Sequence, residues 1–170
     1  MTRIALDLNT DEGRQAVKGQ WRFASGLVPG EPNEGLVSQV EASPARLPDY
    51  DDSKWDVCTN VREAHSKGFT FGWWRITVDL PAEVDGVSLA GSRVFFETNV
   101  DNHGEIWVDG DLGPGAGVIG NNVSQRVEIN REAKAGDRHV IAVLSANAPL
   151  AQPRGGIFLR YATLAFETPG

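Results

Sequence analysis

The sequence lacks the features by which several classes of protein are recognised. Cys58 is its only cysteine, so no intramolecular disulfide can form and nothing indicates an oxidising compartment. No apolar run has signal-peptide length or approaches the roughly 20 residues of a membrane helix. Basic residues number 16 against 23 acidic ones, a net charge of −7, which disfavours nucleic acids and anionic membranes as partners. We therefore expect a cytoplasmic protein that binds neither.

Motifs of the commonest catalytic and cofactor sites are also missing. The sequence contains no G-x-S-x-G elbow, no H-E-x-x-H, no Walker loop and no paired-cysteine zinc spacing. The segment Asp7–Asp11 begins like a calcium-binding loop, but glycine comes one position late at Gly13, and Lys18 stands where such a loop carries Glu. The residues themselves therefore predict neither a metal nor another cofactor.

The sequence does contain a series of short strand patterns. In Trp74–Leu80, apolar and polar residues alternate until Pro81 ends the run. Similar runs, separated by Gly, Pro, Asn and Asp, are Leu36–Glu41, Trp55–Thr59, Arg93–Val100, Glu105–Asp109, Val123–Asn130, His139–Ala146 and Ile157–Phe166. Eight or nine such strands predict an all-β fold, a two-sheet antiparallel jelly-roll sandwich.

The length predicts one domain, residues 1–170, with an N-terminal extension over about residues 1–20. The one helix predicted is Asp11–Lys18, which Thr10 caps and Gly19 ends.

Two connections between predicted strands differ in character. Asp101–Gly104 is short and polar, so we expect a hairpin tip there. Asp111–Asn122 holds four glycines and a proline, which predicts an irregular loop of the kind that often covers a binding site. A plain connecting loop is the alternative.

From Asp52 to Phe166 the order of motifs is specific. A Trp-containing segment at Trp55 precedes the aromatic strand with Trp74-Arg75, and the hairpin signature Glu105–Gly110 follows. The strand motif Ala135–Val143 and the glycine-led Gly156-Ile157 complete the series. This order resembles the galactose-binding-domain-like jelly roll, particularly the N-terminal sugar-binding domain of the β-galactosidase and β-glucuronidase hydrolases. It is also similar to the accessory module of some gluconolactonase-like proteins.

The resemblance implies a jelly roll that accompanies a separate catalytic unit. It also allows a structural calcium ion, which many galactose-binding-like domains hold. It supplies no activity of its own, because one fold hosts many functions.

Period-two alternation sorts the strand residues by face. The predicted core is Trp74, Ile76, Val78, Phe96, Ile106, Val108 and Val143. The opposite face carries Trp107 among polar residues, and an indole bordered by Arg, Asn and carboxylates suits a sugar ring. The ligand-binding residues predicted on this basis are Trp107, Arg75, Asn99, Asn121 and Arg160. The alternative is that the segment Trp21–Pro48 covers Trp107.

Acid–base residues favour a second interpretation. His103 at the predicted hairpin tip, with Asp101, Glu97 and His65, forms a candidate catalytic set. Glu97 and Glu105 on neighbouring strands would also approach each other as glycosidase carboxylates do, although arginines on the same face would balance them.

Two functions from different classes follow. The first is a carbohydrate-binding or accessory jelly-roll protein with a sugar or small-molecule ligand. The alternative is a small stand-alone, metal-free acid–base enzyme of lyase, isomerase or cyclase type, with its pocket at one end of the sandwich. Either function is compatible with a homo-oligomer or with a subunit that accompanies a separately encoded enzyme.

Overall fold

The computed structural model describes residues 1–31, 42–65, 70–147 and 156–169, and for residues 102 and 114–122 it describes the backbone alone. Ten strands lie in these ranges. They are β1 Thr2–Asp7, β2 Trp21–Ser25, β3 Asp56–Cys58, β4 Phe71–Asp79, β5 Glu83–Val84, β6 Val87–Ser88, β7 Arg93–Val108, β8 Asp111–Asn130, β9 Arg138–Ala146 and β10 Leu159–Thr168. The helix α1 covers Asp11–Ala16, and Pro44–Arg46 forms one 3₁₀ turn. The predicted strand Leu36–Glu41 lies outside the described residues.

Two layers form because β7 and β8 are long enough to run through both. All pairing in the main sheet is antiparallel. In layer one the order is β1, β10, the first half of β7 and the second half of β8. In layer two it is β3, β2, β4, β9, the second half of β7 and the first half of β8. The predicted two-sheet antiparallel sandwich is therefore confirmed.

The core between the layers follows the alternation of the strands. Trp74 and Ile76 of β4 and Phe96 and Ile106 of β7 are at most 1% exposed. The other predicted core residues, Val78, Val108 and Val143, belong to or pack against the same cluster. The predicted core is confirmed, and at roughly 25 cal/mol per Å² of buried apolar surface it is the main source of stability.

The hairpin predicted at Asp101–Gly104 is wrong, because these residues continue β7. His103 pairs with Ile119 on one side and with Ala146 on the other. The turn lies at Asp109-Gly110 instead, where both residues have positive φ (51° and 86°), as two-residue hairpin turns require.

The predicted loop Asp111–Asn122 is the first half of β8 and pairs with β7. Register shifts interrupt the pairing of β7 and β8 at three points, and such bulges bend a strand from one layer to the next. Gly104 lies at this bend, and a Cβ there would come within 2.8 Å of the Val100 Cβ. Glycine is required at position 104 because Val100 packs closely against the backbone there, and not because the chain turns.

The first 20 residues contribute to the sheet. β1 pairs along its whole length with β10, and the alternation of Ile4, Leu6 and Leu8 could have indicated this strand. In α1 the Thr10 side chain accepts from the Gly13 N–H, so the predicted cap is confirmed. The helix ends two residues earlier than predicted, with Lys18 in the left-handed region (φ 53°).

Candidate functional site

Two rows of side chains cross the outer face of layer two. The first row is Trp73, Leu144 and Glu105, and the second is Arg75, Ala142 and Trp107. Directly opposed residues on antiparallel strands have Cβ atoms about 4.5–5.5 Å apart, and alternate residues on one strand share a face. β4, β9 and β7 therefore bring indoles, a guanidinium and a carboxylate onto one surface.

Arg75 lies beneath residues 42–52, the segment that folds back over this face. Its Nε donates to Asp52 Oδ2 at 2.9 Å, and Nη1 donates to the carbonyls of Ala45 (2.5 Å) and Leu47 (2.9 Å). Nη2 donates to the Tyr50 carbonyl at 3.3 Å, and the guanidinium lies 5.4 Å from that ring's centroid. Arg75 is only 1% exposed. The prediction that it contacts a ligand is therefore not supported by its position, since the segment occupies its donors.

A cavity of about 200 Å³ remains between this segment and the sheet. Its apolar wall consists of Leu27, Ala42, Trp73, Trp107 and Leu144. Its polar wall consists of Ser43, Arg46 and Glu105. Trp73 Nε1 donates to the Leu27 carbonyl at 2.9 Å, which fixes the residues after β2 at the rim.

Trp107 combines the two alternatives that the sequence left open. Its ring packs against the small apolar cluster of Ala45, Trp73, Ala142 and Leu144. The Arg46 guanidinium lies over the ring at 5.6 Å from its centroid, a cation–π arrangement. The segment after residue 41 thus covers part of the indole, while the remainder lines the cavity.

Glu105 is held in its charged form by its two neighbours along β7. His103 Nε2 lies 3.2 Å from Oε1, and Trp107 Nε1 donates to Oε2 at 3.2 Å. The hydrogen bond from His103, then that from Trp107, lowers the pKa of the Glu105 carboxyl, although burial opposes them. The carboxylate is therefore a fixed acceptor in the cavity wall.

Glu97 does not approach Glu105, so the predicted carboxylate pair is wrong. Both residues belong to one continuous strand, and Glu97 lies in the half of β7 that pairs with β10. Its oxygens accept from Arg3 at 2.8 and 2.7 Å and from Arg126 at 3.0 Å. The hydrogen bonds from Arg3, and then those from Arg126, lower the pKa of Glu97. These ion pairs account for a carboxylate at this position without a catalytic role.

Asp101 and Arg160 lie near each other, with Arg160 Nη2 3.8 Å from Asp101 Oδ2. Neither lines the 200 Å³ cavity, and Asn99 is buried within β7. Asn121 is described only as a backbone position in β8, so its predicted role lies outside the described side chains.

His65 lies elsewhere, against the sandwich core. Its ring stacks on Phe23 at 4.1 Å between centroids, and its Nε2 is 3.5 Å from Cys58 Sγ. Burial lowers the pKa of His65 and raises that of the Cys58 thiol, so both groups stay neutral near pH 7. A neutral pair is not an activated nucleophile, and the structure does not bring His65 together with the rest of the predicted catalytic set.

A second, wider groove of about 470 Å³ lies beside β2 and β3. Its aromatic wall is Phe23, Tyr50 and Trp55. Within the described part of the chain no three His, Cys, Asp or Glu side chains are grouped to hold a metal, and the calcium ion allowed by the resemblance stays a prediction. No helix in the described ranges is long and apolar enough to cross a membrane.

Sequence reasoning missed several cavity residues. Trp73 could have been predicted, because alternation along β4 places this residue on the same face as Arg75. Ser43 and Arg46 carried no such signal, since they belong to an irregular segment around a 3₁₀ turn.

No protein-family model and no curated protein matches this chain. Solved structures do match. Bacteroides uniformis β-glucuronidase 2 superposes with a TM-score of 0.66 at 16% identity, over 98% of this chain and 18% of that one. A glycosyl hydrolase family 2 member from Bacteroides cellulosilyticus gives 0.65 at 16% identity, over 97% and 21%.

A β-glucuronidase from Faecalibacterium prausnitzii gives a TM-score of 0.52 at 20% identity, over 98% of this chain and 32% of that chain. The chain thus spans about a third or less of the length of these hydrolases. At this identity the likeness concerns the fold. The chain has a galactose-binding-like β-sandwich fold that resembles the N-terminal domain of family 2 glycoside hydrolases.

Proposed function

We propose that this chain is a carbohydrate-binding accessory domain and that it holds one sugar ring in the cavity between Trp107 and Ser43. The observation that carries the proposal is the combination, in the walls of one cavity, of the uncovered part of the Trp107 indole with a fixed carboxylate acceptor. Sugar rings present apolar C–H groups on one face and hydroxyl donors at their edge. Trp107 suits the first and Glu105 the second.

The size of the cavity supports a single small ring. Its volume of about 200 Å³ is below the roughly 300–1,000 Å³ typical of drug-sized ligands. The similarity to domains that form only a part of larger glycoside hydrolases supports an accessory role.

The proposal is tested by calorimetric titration with a panel of neutral and acidic monosaccharides, including galactose, glucose and galacturonate. Trp107→Ala should weaken binding about tenfold or more, because truncating a central aromatic contact costs over about 1 kcal/mol. Trp55→Ala is the matched control, because this indole lines the wider groove and not the cavity. Trp55 also packs against the cluster beside the cavity, so a melting curve first establishes that the variant is folded, and its affinity should then be unchanged. If Trp55→Ala abolishes binding and Trp107→Ala does not, the ligand occupies the other groove. Absence of binding across the panel would contradict the proposal.

One observation favours the acid–base enzyme as a second candidate. His103 and Glu105 form a histidine–carboxylate pair at 3.2 Å, the arrangement that orients a general base. An enzyme that uses His103 should lose about 10²-fold or more in turnover in His103→Ala. A binding domain should change only in affinity, by about 1 to 2 kcal/mol.

A further inference from the structure

Arg46 differs from every other arginine in the described part of the chain. Each of the others has a protein carboxylate or carbonyl within reach of its guanidinium. Arg46 has no hydrogen bond or ion pair from its side chain to any described residue. Its guanidinium instead lies over the Trp107 ring, and no described residue accepts a hydrogen bond from its N–H groups. A guanidinium presents a planar fork of donors that matches a carboxylate.

A second polar group in the same wall has no hydrogen-bond partner among the described residues. The Ser43 hydroxyl oxygen is buried and makes no hydrogen bond to the described chain, and the residue is only 7% exposed. Ser43 stands at the N-cap of the 3₁₀ turn, yet its side chain does not cap that turn. Buried hydroxyls are nearly always hydrogen-bonded, and Ser43 lines the cavity. Its hydroxyl does not contact the open cavity in the present rotamer, so a ligand would be reached by rotation about χ1.

The charges of the wall are not balanced by each other. Arg46 and Glu105 form no ion pair with each other. The ion pair that Glu105 makes among the described residues is with His103. Each Glu105 oxygen already has one neighbour, His103 or Trp107. Among the described residues, Arg46 is therefore a cavity cation without an anion, three residues from a Ser43 hydroxyl that also has no described partner.

We infer that the cavity selects a sugar acid, whose carboxylate lies between the Arg46 guanidinium and the Ser43 hydroxyl while its ring contacts Trp107 and a ring hydroxyl donates to Glu105. This inference rests on the proposed carbohydrate function and specifies its ligand class. Charge-assisted bidentate hydrogen bonds of arginine to carboxylates are stronger than neutral ones, which gives the acid its advantage over the neutral sugar.

The test compares galacturonate with galactose, which differ only by a carboxylate in place of a hydroxymethyl group. In the wild-type chain galacturonate should bind about 10- to 100-fold more tightly. Arg46→Gln should bring the two affinities to within a few-fold by weakening galacturonate alone, and Arg46→Lys should keep part of the preference. Arg131→Gln is the matched control, because Arg131 is exposed and outside the cavity, and it should keep the full preference. Ser43→Ala should weaken galacturonate several-fold without lowering the melting temperature.

The outcomes separate this inference from the proposed function. Equal affinity for the two sugars, with both lost in Trp107→Ala, overturns the sugar-acid inference and leaves carbohydrate binding in place. A preference for galacturonate that survives in folded Arg46→Gln protein overturns the role of Arg46. Failure of both sugars and of the whole panel contradicts the proposed function as well. Circular dichroism and melting curves establish that each variant is folded.

Discussion

Replacing Arg75 with methionine tests whether one buried guanidinium holds the segment that forms the cavity's outer wall. Methionine keeps an unbranched side chain of similar length and removes the charge and all donors. The lost contacts are the ion pair to Asp52 and the hydrogen bonds to the carbonyls of Ala45, Leu47 and Tyr50. Asp52 is about one quarter exposed, so water can solvate part of it once Arg75 is gone.

The magnitude follows from the burial of the two partners. Removing one member of a buried ion pair costs about 3 to 5 kcal/mol, whereas an exposed pair contributes at most about 1 kcal/mol. Arg75 is buried and Asp52 is partly exposed, so we expect a loss of about 3 kcal/mol from Arg75→Met. Asp52→Asn should cost only about 1 kcal/mol, because the three carbonyls still accept from the guanidinium.

Urea unfolding followed by tryptophan fluorescence measures both variants. A loss of about 3 kcal/mol lowers the midpoint by about 1.5 M at a slope of about 2 kcal/mol/M. Limited proteolysis should cleave the segment around Leu47 faster in Arg75→Met than in the wild type. An unchanged midpoint for Arg75→Met, or an equal loss for Asp52→Asn, would refute the assigned anchoring role.

Three further expectations follow from the structure. Ile106→Ala should lower the free energy of unfolding by about 2 to 5 kcal/mol, because it leaves a cavity in the core. Val57→Ala, at an exposed position of β3, is the control and should lower it little. A melting temperature unchanged by Ile106→Ala would mean that the faces are inverted. Gly104→Ala should lose about 1 to 3 kcal/mol through overpacking at the bend of β7, and an unaffected denaturation midpoint would argue against the close approach. Carbon-detected NMR should show the Glu105 carboxyl titrating below the usual glutamate pKa. The stabilisation from this carboxylate is complete above the unfolded-state pKa of about 4.3, and it is lost as the pH falls through the lower folded-state pKa. In His103→Ala the Glu105 midpoint should rise, and an unchanged midpoint would exclude His103 as the main cause.

Short-range patterns were sufficient to predict the fold class and the core. Trp74, Ile76 and Val78 face the interior because side chains in a strand alternate between two faces, and this depends only on their spacing. The Thr10 cap of α1 was predictable for a similar reason, since the capping hydroxyl and the N–H it accepts from are three residues apart.

Long-range pairing overrode local signals in the middle of the chain. Asp101–Gly104 has the composition of a turn, yet its residues pair with β8 and β9 on either side. Strand formation depends on neighbours more than on intrinsic preference, and the partner strands lie up to about 40 residues away in sequence. The glycines of Asp111–Gly120 read as a loop for the same reason.

Alternation along a strand was enough to place Glu105 and Trp107 on one face, which is the outer face of layer two. The burial of Arg75 on this face, and the presence of Arg46 and Ser43 in a cavity wall, could not be predicted from alternation. Both outcomes depend on how the segment after residue 41 folds back over the sheet, and that path is set by contacts such as Arg75 with Ala45 and Leu47. Such contacts join residues about 30 positions apart, and no local periodicity encodes them.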